Sequence, residues 1–176
     1  MRQALKLHPD SHCDAATRID VEAARPRPGT LLLHYLVTGK TSDLVLPPVT
    51  ASTRADELWR HTCFEAFVRA GAGYYEFNFA PSPQWAAYRF SFYRCRMSAA
   101  GEISAPRVEV RSYGASFELL VSLDLPNDAA GGLGLSAVIE KANGRLSYWA
   151  LAHPPGTPDF HHSDCFALEL PAPLRP

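Results

Sequence analysis

Apolar residues recur at every second position through most of the chain, which is the spacing of strands with one buried face. Residues 74–79 read YYEFNF and residues 116–124 read SFELLVSLD, and in both runs the odd-numbered positions form an apolar face. Similar short runs occupy residues 31–37, 62–68, 88–94, 107–112, 133–140, 147–152 and 165–170. The pattern therefore predicts about ten short strands.

Turn signals separate these runs, and no segment carries a long apolar stripe at helical spacing. The 15 prolines are spread through the chain and would interrupt a helix wherever one began. A short turn around Arg54 to Leu58 is the one candidate helix, and Asn143-Gly144 predicts a tight hairpin turn. Many short, evenly spaced strands indicate an all-β fold, an antiparallel β-sandwich, with residues 1–176 forming a single domain.

The alternation also predicts which residues lie inside the sandwich. The expected core comprises Phe64, Phe77, Phe79, Phe90, Phe117, Leu119, Val121, Val138, Leu151 and Phe166. The four cysteines are far apart and lack a C-x-x-C pair, which argues against a zinc knuckle or a redox dithiol. Cys63 and Cys165 lie in apolar runs, so we expect both to be buried free thiols.

Charge and hydropathy exclude several classes of function. With 17 basic and 18 acidic residues and no basic stripe, the chain does not suit a phosphate backbone, so no nucleic-acid partner is expected. No apolar run of signal-peptide or membrane-helix length occurs, which predicts a cytoplasmic protein without a membrane partner. No motif of a hydrolase, nucleotide-binding loop or zinc protease is present.

Polar residues on the predicted strands are the best candidates for a binding site. Glu65, Glu76, Asn78 and Glu140 interrupt apolar runs, so each side chain faces either solvent or a polar pocket. His61 and several rings lie on or beside the same strands: Trp59, Tyr74, Trp85, Tyr88, Tyr148 and Trp149. Aromatic faces next to carboxylates and amides are typical of sugar sites, because the rings stack on the sugar and the polar groups hold its hydroxyls.

Two long segments carry a family resemblance. ELWRHTCFEAFVRAGAGYYEFNFAPSPQWAAYRFSFYR, followed by AVIEKANGRLSYWALAHPPGTPDFHHSDCFALEL, is similar to the bacterial DOMON-like domains, which are related in fold to the family 9 carbohydrate-binding modules. The similarity runs from about Leu58 to Leu170. It implies a sandwich of the jelly-roll type, and it implies either a sugar or haem as ligand, because relatives of this fold bind one or the other.

The resemblance assigns residues to each of these ligands. In sugar-binding relatives, rings and polar side chains at one side of the sandwich hold the ligand, and Trp59, Glu76, Asn78, Trp85 and Trp149 fall on the matching strands. In haem-binding relatives a Met and a His hold the iron. Met97 is the one plausible thioether here, because the only other methionine is Met1.

The segment HPPGTPDFHHSD, residues 153–164, joins the last two predicted strands. His153, Asp159 and one of His161 or His162 could hold a metal ion with an open position, which would suit a small metal-dependent hydrolase. Alternatively, the segment is a rigid loop with its imidazoles bonded to backbone. We favour a third interpretation, in which the loop forms one wall of a ligand cleft and its polar side chains reach toward Trp59, Glu76, Trp85 and Trp149.

Taken together, the sequence predicts a non-catalytic module that binds a saccharide or similar polar small molecule without a cofactor. The expected ligand-binding residues are Trp59, His61, Glu65, Glu76, Asn78, Trp85, Tyr88, Glu140, Trp149, His153, Asp159 and His161. A haem-binding redox domain and the metal-dependent hydrolase are the alternatives. Catalysis by Glu65 and Glu76 as a carboxylate pair is also open.

Overall fold

The computed structural model describes residues 2–173, and these residues form twelve strands and three short 3-10 turns. The strands are β1 (Arg2–Leu7), β2 (Ala16–Arg27), β3 (Thr30–Gly39), β4 (Cys63–Ala70), β5 (Gly73–Phe79), β6 (Trp85–Phe90), β7 (Ser98–Ala99), β8 (Arg107–Tyr113), β9 (Ser116–Asp124), β10 (Ala129–Glu140), β11 (Leu146–Ala150) and β12 (Leu168–Glu169). The 3-10 turns are Thr41–Asp43, Leu58–Arg60 and Ser163–Cys165. Within residues 2–173, no helix has the length and apolar character needed to cross a membrane.

The named strands pair antiparallel and form two sheets that share β1. The first sheet has the order β8-β9-β3-β2-β1, and the second has the order β1-β11-β10-β4-β5-β6-β7. β12 pairs with the first half of β10, at Gly132 and Leu133, whereas β11 pairs with its second half. The all-β antiparallel sandwich predicted from the alternating pattern is therefore confirmed.

Alternate side chains of the paired strands face the space between the sheets, and these side chains form the inner core. Tyr35 of β3 packs on Phe64 of β4 with ring centroids 5.0 Å apart, and Phe64 stacks on Phe117 of β9 at 6.0 Å. The Tyr35 hydroxyl also donates a 2.7 Å hydrogen bond to the backbone oxygen of Glu65. Rings from both sheets thus interlock in the interior, where burial of apolar surface provides most of the stability.

The strand predictions hold best in the middle of the chain. β9 matches its predicted run residue for residue, β3 and β10 extend their predicted runs by a few positions, and β4 begins one residue later and ends two residues later than its run. β1 and β2 were not predicted, because polar residues interrupt their alternation. The run at 165–170 is mostly not a strand, since a 3-10 turn ends at Cys165 and only Leu168–Glu169 pairs with β10.

Of two local predictions, the first is wrong in position and the second is confirmed. No helix forms at Arg54 to Leu58, and the short turn lies instead at Leu58–Arg60. The Asn143-Gly144 hairpin does form between β10 and β11, with Gly144 at a positive φ of 75° and its amide bonded to the Lys141 carbonyl at 2.8 Å.

Nine of the ten predicted core residues are buried, and Cys63 and Cys165 are buried free thiols as expected. Phe166 is the exception, because it is half-buried under the guanidinium of Arg69. Phe90 and Val138 are buried but lie outside the inner core, in a second cluster on the other face of the second sheet. That second cluster is the start of the candidate site.

The inner core gives a direct test of the fold. Phe64→Ala removes a fully buried ring that contacts both sheets, so we expect a loss of about 3–5 kcal/mol of unfolding free energy. Phe92→Ala is the matched control, because Phe92 is 57% exposed, and its effect should stay within about 0.5 kcal/mol. Urea denaturation measures both values, and equal losses in the two variants would contradict the interlocked core.

Candidate functional site

The second sheet carries two distinct buried faces. Odd and even positions of its strands separate cleanly: Phe64 and Phe79 belong to the inner core, whereas Phe67 and Tyr74 point to the opposite face. The buried members of this outer cluster are Phe67, Tyr74, Ala86, Tyr88, Phe90, Val138, Ala150 and Phe160. An outer face this apolar requires a cover, because exposed contiguous apolar surface is costly.

Residues 151–167, here called the covering loop, provide part of that cover. The Tyr74 hydroxyl and the Nδ1 atom of His161 are 2.8 Å apart, and the rings of Phe160 and Tyr148 make an edge contact at 6.1 Å. Cys165 holds the loop together internally, with its Sγ atom 3.2 Å from the carbonyl oxygens of Ala152 and Asp159.

A cleft of about 500 Å³ lies between the outer face, the covering loop and the residues that follow β6. Its buried lining comes from β4, β5, β6 and β10 and from Phe160. Its half-buried and exposed lining comes from β11 and from the loops. The lining residues are Trp59, Arg60, Glu65, Glu76, Phe90, Arg94, Met97, Val138, Leu146, Tyr148, Pro158, Phe160 and His161. A volume of this size suits a small organic ligand.

Two carboxylates from neighbouring strands lie in the buried lining of the cleft. Glu65 of β4 is opposite Asn78 of β5, and Glu76 is two residues away on the same face of β5. Glu65 is 3% exposed and Glu76 is 5% exposed. Asn78 donates a 2.7 Å hydrogen bond to Glu76, while Glu65 receives only a long 3.5 Å bond from Ser136.

Burial disfavours the charged form of both acids. Burial raises the pKa of Glu76 to about 7. The hydrogen bond from Asn78 and the nearby charge of Arg94 lower this pKa, but by less than burial raises it. The pKa of Glu65 is raised well above its usual range by burial and by the proximity of Glu76. The pair therefore retains at least one proton near neutral pH.

His161 and Arg94 lie next to these acids. The backbone amide of Arg94 donates to the Tyr74 hydroxyl at 3.1 Å, which leaves the phenol proton to bond His161 Nδ1. His161 Nε2 lies 3.7 Å from Glu76 Oε2. Burial and the charge of Arg94 lower the pKa of His161 to about 4, so its ring is neutral at pH 7 and this contact is not an ion pair.

Asp159 fixes the position of Arg94 rather than facing the ligand space. It accepts hydrogen bonds from Arg94 Nε at 3.1 Å and Nη2 at 2.7 Å, and a further bond from the Tyr93 hydroxyl. Burial acts to raise the pKa of Asp159, but the bonds from Tyr93 and Arg94 outweigh it and hold that pKa below its usual value. The covering loop is thus joined by charge to the residues after β6.

Aromatic side chains form the walls of the cleft. Trp59 lies in the 3-10 turn before β4, and its ring meets the edge of Tyr88 at a centroid distance of 6.0 Å. Tyr88 is fixed in turn by a 2.6 Å hydrogen bond from its hydroxyl to Asp56. Tyr148 and Phe160 contribute further ring surface to the lining.

Of the twelve predicted site residues, four line the cleft: Trp59, Glu65, Glu76 and His161. Three more lie outside the lining but contact a lining residue: Asn78 hydrogen-bonds Glu76, the Tyr88 ring contacts Trp59, and Asp159 binds Arg94. The other five lie elsewhere: His61, Trp85, Glu140, Trp149 and His153.

The alternation of side chains along β6 and β11 explains why Trp85 and Trp149 lie outside the cleft. Trp85 and Trp149 are at the inner-core positions of β6 and β11, so their rings point between the sheets and not into the cleft. His61 and Glu140 pair with each other at 2.7 Å away from the lining. His153 donates a 2.8 Å hydrogen bond from Nε2 to the Lys6 backbone oxygen on β1, and its ring contacts His8.

The histidine-rich segment therefore does not converge on one point. His153 contacts β1, Asp159 binds Arg94, and His161 contacts Tyr74. For the described part of the chain, no group of three or more His, Cys, Asp or Glu side chains is placed to hold a metal ion. The interpretation of the segment as a cleft wall holds for Pro158, Phe160 and His161, all of which line the cleft.

Sequence reasoning missed Arg60, Arg94 and Phe160 as lining residues. Arg94 has a positive φ of 49°, a backbone conformation that the sequence does not reveal for an arginine. Arg60 follows Trp59 directly in the 3-10 turn, so the aromatic signal that selected Trp59 could also have pointed to this neighbour.

Comparison with solved structures identifies proteins of similar fold. A "putative carbohydrate-binding protein" from Bacteroides uniformis ATCC 8492 superposes with a TM-score of 0.63 at 16% identity, covering 94% of this chain and 83% of its own. At that identity the likeness shows a shared fold. No protein-family model matches the chain, and no curated protein sequence matches it significantly.

A family 9 carbohydrate-binding module from Caldicellulosiruptor kristjanssonii is a more distant structural neighbour. Its complex with cellotriose gives a TM-score of 0.49 at 10% identity, covering 89% of this chain and 74% of the module. Its complex with glucose gives a TM-score of 0.46 at 12% identity, covering 86% and 76%.

The buried acid on β5 predicts a specific pH dependence of stability. The Glu76 pKa is about 7 in the folded protein and 4.5 ordinarily, so the folded state binds the proton more tightly than the unfolded state. Its stabilising contribution is complete below about pH 4.5 and is lost as the pH rises through about 7.

Glu76→Gln removes this charge while keeping the size of the side chain. Relative to wild type, the variant should gain up to about 3 kcal/mol of unfolding free energy between about pH 4.5 and 8, because it never buries the carboxylate charge. Urea denaturation across this pH range measures the difference, with the exposed Glu169→Gln as control. A difference between wild type and Glu76→Gln that does not vary with pH would contradict the assignment.

Proposed function

We propose that this protein is a non-catalytic module that binds a saccharide in the cleft on the outer face of its second sheet. The observation that carries the proposal is the pairing of aromatic walls with buried acids: Trp59 and Tyr148 line the same space as Glu65 and Glu76. Rings offer a flat apolar surface to the carbon-hydrogen face of a sugar, and carboxyl groups bond its hydroxyls.

The fold supports this function as an analogy. The structurally similar Bacteroides protein is described as a putative carbohydrate binder, and we carry that function to this chain as a proposal. Membership of the bacterial DOMON-like group is part of the same proposal and rests on the two sequence segments from Leu58 to Leu170.

The polar and aromatic groups of the cleft are both held in position before a ligand binds, as sugar binding needs. The carboxyl groups are held by strands and by the Asn78 bond, so their positions are set before a ligand arrives. Trp59 is half-buried and is supported from behind by Tyr88, whose hydroxyl is anchored on Asp56. A ring supported in this way loses little conformational freedom on stacking.

Removing the Trp59 ring tests the proposal. Trp59→Ala should weaken binding of a glycan found by array screening by at least about tenfold, because the stacking surface is lost. Tyr113→Ala is the control, since Tyr113 is 60% exposed on β8 of the other sheet. Calorimetric titration measures both affinities, and equal losses in the two variants would rule out the cleft as the binding site.

Haem binding is the second candidate, because Met97 and His161 both line the cleft. Met97 is 56% exposed, so its sulfur is accessible. Against this candidate, His161 uses Nδ1 to contact Tyr74 and turns Nε2 toward the buried Glu76, a poor setting for an axial ligand. We therefore favour the saccharide.

The two candidates differ in colour. Protein purified from cells fed a haem precursor should be colourless and show no Soret band, because the proposed ligand is a sugar. Absorption spectra of wild type and of Met97→Ala make the comparison. A Soret band in wild type that is lost in Met97→Ala would replace the saccharide proposal with haem binding.

A further inference from the structure

The two acids in the cleft have no cation of their own. Arg94 is bound by Asp159 through two hydrogen bonds, and Arg60 is paired with Glu57 at 2.8 Å, so each exposed arginine is already matched by a carboxylate. His161 is neutral near pH 7 because its pKa lies at about 4. Within the cleft lining, Arg94 acts on Glu76 only through its nearby charge, and no cation is bonded to Glu65 or Glu76.

Glu65 is the less satisfied of the two acids. It is 3% exposed and lines the cleft, yet its Oε2 atom has only the 3.5 Å contact with the Ser136 hydroxyl. That contact is at the outer limit of hydrogen-bond distance, so Glu65 is held less firmly than Glu76, which accepts a 2.7 Å bond from Asn78. A buried carboxylate that lacks donors is costly unless a ligand supplies them.

The aromatic walls suit a cation as well as a sugar ring. Trp59, Tyr148, Phe160 and Phe90 all line the space above the acids. A positive group held between carboxylates and ring faces gains both charge-assisted hydrogen bonds and cation–π attraction. A hydroxyl group in the same place gains neither the charge nor the cation–π contribution.

We propose, on the basis of the saccharide-binding function above, that the cleft selects sugars bearing a protonated amino group, whose ammonium hydrogens are accepted by Glu65 and Glu76. The ammonium group supplies the donors that Glu65 lacks and the charge that neither arginine provides. The sugar ring stacks on Trp59 while the ammonium group faces the sheet.

Binding of such a ligand is coupled to proton release. The titratable and charged groups that face Glu76 are Glu65 and Cys63 from β4, Tyr74 from β5, Tyr88 from β6, Arg94 from the residues after β6, and His161 from the covering loop. Below about pH 7 Glu76 holds a proton, and an ammonium group favours its ionised form. Affinity for the amine should therefore rise as the pH increases from about 5.5 to about 7, as long as the ligand's own amino group stays protonated.

Matched pairs of small sugars test the selectivity. Glucose is compared with 2-amino-2-deoxyglucose and with 6-amino-6-deoxyglucose by calorimetric titration of the full chain. The better amine should bind roughly ten- to hundredfold more tightly than glucose, the range expected for hydrogen bonds to a charged group. Titration in two buffers of different ionisation enthalpy should show protons released on binding.

Carboxamide variants connect the selectivity to the two acids. In Glu76→Gln and Glu65→Gln the ratio of amine to glucose affinity should fall toward one, and the pH dependence should flatten. The exposed Glu169→Gln should keep the wild-type ratio. If a carboxamide variant fails to fold, the proton release measured on wild type still decides the question.

The outcomes separate this inference from the function on which it rests. Equal affinity for glucose and both amines, or no proton release on amine binding, overturns amine selectivity and leaves the saccharide module intact. Binding of no member of the panel and of no glycan on an array overturns both proposals. Tighter amine binding that persists in both carboxamide variants also overturns the inference, because the acids then play no part in selection.

Discussion

Strands β4 and β5 are buried on both faces, and the position of the candidate site depends on this constraint. An antiparallel sheet usually has one face in water, with apolar residues inside and polar residues outside. Here the inner face packs on the first sheet and the outer face packs under the covering loop. Polar residues at the outer positions, such as Glu65 and Glu76, are therefore enclosed instead of solvated.

Enclosure of these acids gives the cleft its chemistry. A carboxylate on an exposed strand would keep its ordinary pKa and contribute little to recognition, because water competes for every hydrogen bond. At 3% and 5% exposure the same groups have raised pKa values and point into a space of about 500 Å³. The covering loop thus changes the character of residues that belong to the sheet.

The loop is held in place by ordinary interactions between distant parts of the chain. Asp159 binds Arg94, Tyr74 bonds His161, and His153 reaches Lys6 of β1. Each histidine or aspartate that looked like a metal ligand in the sequence has a separate structural partner. The many histidines and aspartates of the segment are explained largely by hydrogen bonding, because a loop that covers an apolar face must still satisfy its polar groups.

The sequence predicted the sandwich and much of its core because alternation reports directly on strands. It also predicted that acids on strands could face a pocket, and Glu65 and Glu76 do so. It could not say which of the two faces formed the site, because both sets of alternate positions in β6 and β11 carry large aromatic residues. Trp85 and Trp149 were assigned to the site on residue type, and the parity of their strands places them in the inner core.

Other features depend on contacts that local patterns do not encode. The partner of His153 is 147 residues away, on a strand whose alternation is too irregular to be predicted. Arg94 reaches the cleft through a left-handed backbone conformation, which a non-glycine residue adopts only when its surroundings hold it there. Both cases require the assembled fold.

A physical tension remains between stability and the cleft. Two acids buried side by side without a cation destabilise the folded state above the pH at which they ionise, and an apolar pair of similar size would remove that cost. The folded chain tolerates it because the inner core, with its interlocked rings from both sheets, supplies stability independently of the outer face. A ligand that brings donors or positive charge to Glu65 and Glu76 would offset the cost on binding, so the same feature that weakens the empty protein strengthens the complex.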